Sequence, residues 1–184
     1  MPAIDSHAIL TFVASGHVVI YEAATRLPVG CVRTSVGAGG QRQAHAAQPT
    51  PDDLYILVAN QNGKRLDRIT TDYATNTFVL DATLDLAIGL TPSGALKQDD
   101  AVNQMNVRPD NAPILVVPDA TSTLAFVTLR GGGLFVVDPT TTLMEILAEY
   151  DKTTVHANGF GGVEANGRMY INSGAGAAAG APNE

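Results

Sequence analysis

Tryptophan is absent from this chain, cysteine occurs once, and aromatic residues make up only 5% of it. The lone Cys31 excludes an intrachain disulfide and a thiolate zinc cage, and it leaves oxidising and reducing compartments equally open. Charged residues are sparse at 16%, and the formal net charge is -7. Nucleic-acid affinity needs clustered cations that displace counterions from phosphates, so no nucleic-acid partner is expected. No apolar run approaches the roughly 20 residues that cross a bilayer. The first residues also lack a basic segment ahead of a long apolar one. The expectation is a soluble chain with no membrane insertion; secretion or a cell-surface location would require a signal removed from upstream.

What the chain does have is 18 glycines and 10 prolines, among abundant Ala, Thr, Asn and Asp. That composition suits many short strands joined by tight turns and does not suit a helical bundle. An internal repeat is the strongest signal. Residues 51–69, PDDLYILVANQNGKRLDRI, run turn, apolar strand, turn, strand, and residues 118–138, PDATSTLAFVTLRGGGLFVVD, repeat that order. Residues 8–21 give strand, Ser-Gly turn and strand, and residues 163–173 begin the phrase again. Aligned on Val13, Val58, Val127 and Ile171, the units stand about 45, 69 and 44 residues apart, where a four-stranded propeller blade takes roughly 40 to 50. The long middle spacing predicts an insertion at residues 84–110, whose Gly, Pro, Ser and Asp break any strand pattern. A loop of that length is more often functional than idle.

Within each unit four strands are expected. Residues 43–48, 54–59, 65–70 and 77–84 form one set, with the Asn-Gly of residues 61–64 predicting a type I′ hairpin turn. Residues 112–117, 124–129, 134–138 and 144–150 form the next. LYILVA and LAFVTL are almost continuously apolar, as strands covered on both faces must be. Residues 140–152 alone have helix-like spacing, with Leu143, Ile146, Leu147 and Tyr150 on one side. Their place in the repeat predicts an outer strand instead.

Pro51, Asp52, Leu54, Tyr55, Val58, Ala59, Asn60, Asn62 and Ile69 carry a pattern that resembles the YVTN-type β-propeller repeat of surface-layer and lactonase-like proteins. Weaker matches lie at Pro118, Asp119, Phe126, Val127, Val136, Val137 and Asp138, and at Asn166, Gly167, Met169, Tyr170, Ile171 and Asn172. The resemblance implies an all-β, partial β-propeller of four-stranded antiparallel blades, with residues 1–173 forming the arc and residues 174–184 a flexible Gly/Ala tail. An arc of three to four blades leaves two apolar flanks uncovered, so either the chain is a fragment of a larger ring or two copies meet to close one, and the homodimer is the preferred expectation. The resemblance also implies a ligand site at one mouth of the channel. There His45, Asn111, His156, Asn158 and Glu164 are the candidates.

His45 and His156 would stand in corresponding places of different blades, where two imidazoles can hold a divalent metal or act as acid and base near neutral pH. No cofactor is otherwise expected. A lone histidine beside a turn is more often a hydrogen-bonded loop residue, and that is the stronger reading of each. Ser15 beside Gly16 lacks the strand-turn-helix setting of a serine nucleophile. The glycine runs at residues 37–40, 131–133 and 159–162 lack the Lys-Ser/Thr ending of a phosphate loop. Asp52, Asp119 and Asp138 read as turn-forming residues, and Cys31 as a small core residue. Two functions follow: a non-catalytic binding or structural module that self-associates through its blade faces, or a lactonase-like or metal-dependent hydrolase working at the channel.

Overall fold

A computed structural model describes residues 6–94, 97, 111–157, 159 and 161–172. Its regular structure is strand throughout, apart from one short turn of 3₁₀ type at Ala38–Gly40. The strands are β1 (His7–Phe12), β2 (His17–Glu22), β3 (Pro28–Arg33), β4 (Ala44–Pro49), β5 (Tyr55–Asn60), β6 (Arg65–Asp72), β7 (Thr77–Asp85), β8 (Pro113–Pro118), β9 (Ala125–Leu129), β10 (Leu134–Asp138), β11 (Glu145–Tyr150), β12 (Gly162–Ala165) and β13 (Arg168–Ile171). They form antiparallel meanders in strict chain order. Blade 1 is β1-β2-β3, blade 2 is β4-β5-β6-β7, blade 3 is β8-β9-β10-β11, and β12-β13 opens blade 4. This is the β-propeller arc, and residues 140–152 contribute the strand β11 in place of a helix.

Repeated hydrogen bonds fix which strands correspond. The residue that follows the second strand of a blade donates to the residue that precedes the first: Gln61 to Gln43 at 2.9 Å, Arg130 to Ala112 at 2.8 Å and Asn172 to Gly161 at 3.0 Å. Hence β12 and β13 are the counterparts of β8 and β9. After the outermost strand, Leu86 donates to the Lys64 carbonyl at 3.0 Å, and after β3, Thr34 donates in the same way to Gly16 at 2.8 Å. Blade 1 therefore supplies the counterparts of β5, β6 and β7. Among the described residues it has no counterpart of the innermost strand β4.

The core lies between blades. One cluster joins blades 1 and 2 through Val18, Ile20, Val32, Ile56, Val58 and Ile69. A second joins blades 2 and 3 through Leu57, Leu66, Val127, Phe135, Val137 and Ile146. Alternate residues of β5 thus point to opposite neighbours, Ile56 and Val58 one way and Leu57 the other, as a period of two requires. Both sets are fully buried, which explains the unbroken apolar run in LYILVA.

Two local expectations are corrected. The Gln61–Lys64 hairpin is not type I′: its one non-glycine residue with positive φ is Lys64, at 53°, and Lys64 donates to the Gln61 carbonyl at 3.0 Å. A four-residue loop favours a type I turn followed by a left-handed residue. Gly63 serves packing instead, since a Cβ there would stand 2.5 Å from Asn60 Oδ1. Cys31 is exposed rather than buried. In β3 it is Val32 that turns toward blade 2, so its neighbour Cys31 lies on the opposite face of the blade, which none of the described residues covers. Among the described residues no helix is long and apolar enough to cross a membrane.

Candidate functional site

Because strands alternate in direction, the described parts of the connections between blades all fall at one end of the arc. These are residues 34–43, 86–112 and 151–161, and each is tied down differently. The first is held by a buried polar network. The Asp67 carboxylate accepts from the Ser35 backbone N–H at 2.9 Å, the Ser35 hydroxyl at 2.7 Å, the Thr83 hydroxyl at 2.9 Å and Asn60 Nδ2 at 3.1 Å. Asn60 Oδ1 accepts from Gln43 N–H at 2.9 Å while its Nδ2 also donates to the Ser35 carbonyl at 2.9 Å. A fully buried carboxylate is tolerable only with such a set of donors. Gly37 then lies so close to the neighbouring turn that a Cβ would stand 1.9 Å from the Gly63 carbonyl oxygen.

The insertion begins after Asp85, since β7 runs one residue beyond the expected boundary at residue 84. Asn111 gathers its two feet. Buried Asn111 donates through Nδ2 to the Leu86 carbonyl at 2.6 Å and to the Lys97 carbonyl. Lys97 reaches the Asp85 carbonyl with Nζ at 2.8 Å. Burial lowers the affinity of its amine for a proton, against an opposing pull from the Asp85 charge. Beside it lies a recess of about 300 Å³ formed by Leu84, Leu90, Thr91, Pro92, Lys97 and Met144 to Ile146.

The third connection is capped by Asp151, which accepts from the N–H groups of Thr153 and Thr154 at 3.0 Å. The hydrogen bond from the Thr153 hydroxyl is the main reason its carboxyl sits below the usual range. Thr128 donates to the Gly159 carbonyl at 2.8 Å and Gly133 N–H to the Val155 carbonyl at 2.7 Å.

Three of the residues expected at a channel mouth are placed at this end. His45 is part-buried on the inner strand β4, with Nδ1 2.8 Å from the Ile114 carbonyl of β8; a ring N–H donating there ties the inner strands of blades 2 and 3 together. Asn111 is the clasp of the insertion. His156 lies in the third connection, half-buried, and Asn158 lies outside the described residues. Glu164 is at the other end. Its carboxylate accepts from Gly167 N–H at 2.8 Å across the β12-β13 turn and lines a recess of about 160 Å³ with Asp119, Phe126, Arg168 and Met169. Among the described residues no group of three or more His, Cys, Asp or Glu side chains is arranged to hold a metal ion.

The aspartates of the turns behave as the sequence predicts. Asp52 Oδ1 accepts from Leu54 N–H at 3.1 Å, Asp119 Oδ1 from Leu124 N–H at 2.8 Å and Asp138 Oδ1 from Thr140 N–H at 2.8 Å. A hydrogen bond from the Thr140 side chain is the largest influence lowering Asp138. For Asp119 burial is the largest influence and acts upward, and the bonds from Thr121, Leu124 and Thr123 together outweigh it.

The structural centre that the sequence reading missed is Arg68. Its guanidinium pairs with Asp81 at 2.6 Å, donates to the carbonyls of Pro139 at 2.5 Å and Thr141 at 2.7 Å in blade 3, and lies 4.6 Å from the Tyr55 ring centre. A planar five-donor fork is what such a clamp between blades requires. The available signal was the pair Asp67 and Arg68 inside the strand LDRI: charges flanked by buried apolar residues must be partnered.

Compared with known structures, the chain is similar to a protein described as a 6-phosphogluconolactonase from Bacteroides uniformis. The identity is 8%, 94% of this chain and 45% of that one are covered, and the TM-score is 0.61. A protein of the same description from Bacteroides fragilis gives 10%, 91%, 47% and 0.59. The periplasmic gluconolactonase of Pseudomonas aeruginosa gives 14%, 93%, 40% and 0.58. No family model and no curated protein matches. At these identities the likeness establishes the fold alone, a β-propeller arrangement, and this chain spans less than half the length of each of these three structures.

Proposed function

We propose that the chain is a non-catalytic binding or structural module built on YVTN-type propeller blades, which self-associates through its outer blade faces and offers the connections at the insertion end as its ligand surface. The observation that carries this reading is the exposure of apolar side chains on both flanks of the arc, Leu10 and Phe12 on blade 1 and Val163 and Tyr170 on β12-β13. Exposed apolar patches of this kind mark association surfaces. The polar side chains at the insertion end support the same reading, because Asn60, Asp67, Asn111 and His45 spend their hydrogen bonds on holding connections and strands. Recognition there would use backbone groups and amides on loops fixed from beneath.

The likeness to proteins described as lactonases favours a second reading, a lactonase-type or metal-dependent hydrolase whose site draws on His45, His156 and Asn158, with Glu164 left out by its place at the opposite end. The two separate in one set of measurements on the purified chain: hydrolysis of gluconolactone followed by proton release, metal content by mass spectrometry, and both repeated for His45→Ala and His156→Ala. The module predicts no lactone turnover above the buffer rate and no stoichiometric divalent metal. Turnover abolished by either substitution, with metal lost alongside, would replace the module with the hydrolase.

A further inference from the structure

We infer that the recess between the tips of blade 3 and β12-β13 is a binding site for a small organic cation, a compact apolar body carrying one ammonium group. It lies at the opposite end of the arc from the insertion, and it stands or falls separately from the ligand surface proposed there.

The recess exists because one turn of the repeat is short. In blades 2 and 3 the first two strands are joined by turns of a single design. Thr50 N–H donates to the Tyr55 carbonyl and Asp119 N–H to the Leu124 carbonyl, both at 2.9 Å. Asp53 and Ser122, each three residues on, donate back to Thr50 at 2.9 Å and Asp119 at 3.1 Å, and each holds φ at 62°. These two tips touch, Asp52 N–H donating to the Ser122 hydroxyl at 3.0 Å. In β12-β13 the same connection is only Asn166 and Gly167, between the paired Ala165 and Arg168. Their φ values are 54° and 70°, as a two-residue type I′ turn demands. Such a turn has no counterpart of Ser122 to meet the tip of blade 3, and the recess of about 160 Å³ lies in its place.

The walls combine two kinds of surface. Leu124 and Phe126 of blade 3 and Met169 of β13 are apolar, and each side adds one carboxylate, Asp119 from blade 3 and Glu164 from β12. Glu164 and Met169 are cross-strand partners on the hairpin face that turns toward blade 3. Arg168 also borders the recess, but strand alternation sends its side chain to the opposite face from Met169. Burial acts upward on Asp119, and bonds from Thr121 and Leu124 outweigh it, so this carboxyl stays ionised at neutral pH. Asp119 accepts from Leu124 N–H and Glu164 from Gly167 N–H, both at 2.8 Å. Those bonds orient the two carboxylates and leave oxygen lone pairs for a further donor. A cavity of about 150 Å³ holds a molecule the size of benzene, and the Phe126 ring adds attraction for a cation.

NMR of methionine methyl groups tests the site, with benzylamine as the probe and benzyl alcohol and benzoate as the uncharged and oppositely charged comparisons. Met169 reports on this recess, and Met144, which lines the separate recess beside Lys97, serves as the control. Benzylamine is expected to shift the Met169 methyl saturably and leave Met144 unmoved. Benzyl alcohol should bind about tenfold more weakly and benzoate more weakly still. Glu164→Gln should cost benzylamine about tenfold in affinity and leave benzyl alcohol unchanged. Should Glu164→Gln disturb Met169 in the free protein, Asp119→Asn, which keeps an acceptor for Leu124 N–H, makes the same comparison. A Met169 methyl unmoved by millimolar benzylamine overturns the site. Equal affinity for benzylamine and benzoate, or no loss of benzylamine affinity in either variant, overturns its assignment to cations.

Discussion

The junction between blades 2 and 3 and the two outer faces of the arc are made of the same kinds of residue, yet Leu57, Val127 and Phe135 are fully buried while Leu10, Phe12, Val163 and Tyr170 stand about half in water. Sequence pattern sets which side chains share a face; whether that face is dry depends on a neighbouring blade. The inner junction also receives what the ends lack. Arg68 reaches from blade 2 to the carbonyls of Pro139 and Thr141 in blade 3, and the Asp67 network fixes the connection that enters blade 2. Stability should therefore be concentrated in the middle of the arc and fall off toward both flanks.

The largest effect expected from that contrast is for Phe135→Ala. Removing a buried phenyl ring from the inner junction should cost about 3–5 kcal/mol in urea unfolding, whereas Tyr170→Ala at a protein concentration too low for dimer should stay within about 0.5 kcal/mol. Equal losses at the two sites would erase the distinction between inner junction and outer face.

A smaller effect sharpens the picture at the junction of blades 1 and 2. Tyr73 lies between His7 of β1, ring centres 4.8 Å apart, and Phe78 of β7 at 5.4 Å. Burial, with the Asp53 charge adding to it, pushes its phenol up to about 12 from an ordinary 10.0. The folded state thus holds the phenol proton more tightly than the unfolded chain does. The associated stability is complete below pH 10 and is lost as the pH rises toward 12. Melting temperature should fall across that window, and Tyr73→Phe should flatten the fall; an unchanged slope in the variant would remove Tyr73 from the junction.

Much of the fold was legible because it repeats. Turn residues at Pro51 to Asp53 and Pro118 to Ser122 punctuate strands of fixed order, and all eight strands of blades 2 and 3 lie within a residue or two of their expected bounds. The errors have local causes. Cys31 sits in an apolar stretch but on the face of blade 1 that none of the described residues covers, and composition does not say which face of a strand is packed. Asn62-Gly63 suggested the two-residue turn, and loop length overrode that preference. The candidate site was less legible. The expectation gathered five residues at one mouth, but Glu164 belongs to the opposite end because it lies in β12 beside the β12-β13 turn, at the far end of that strand from His156. His45 and Asn111 proved to be ties between elements, a role that depends on carbonyls distant in sequence. Arg68 went unremarked for the same reason, its carbonyl partners Pro139 and Thr141 lying more than 70 residues away in the chain.

Amide hydrogen exchange of the dilute monomer, resolved to individual strands, tests the central claim most directly. The stacked-blade account predicts that β5, β6, β9 and β10 exchange slowest and together, while β1 and β13 exchange fastest among the strands. Exchange of β5 and β9 as rapid as that of β1 and β13 would contradict it.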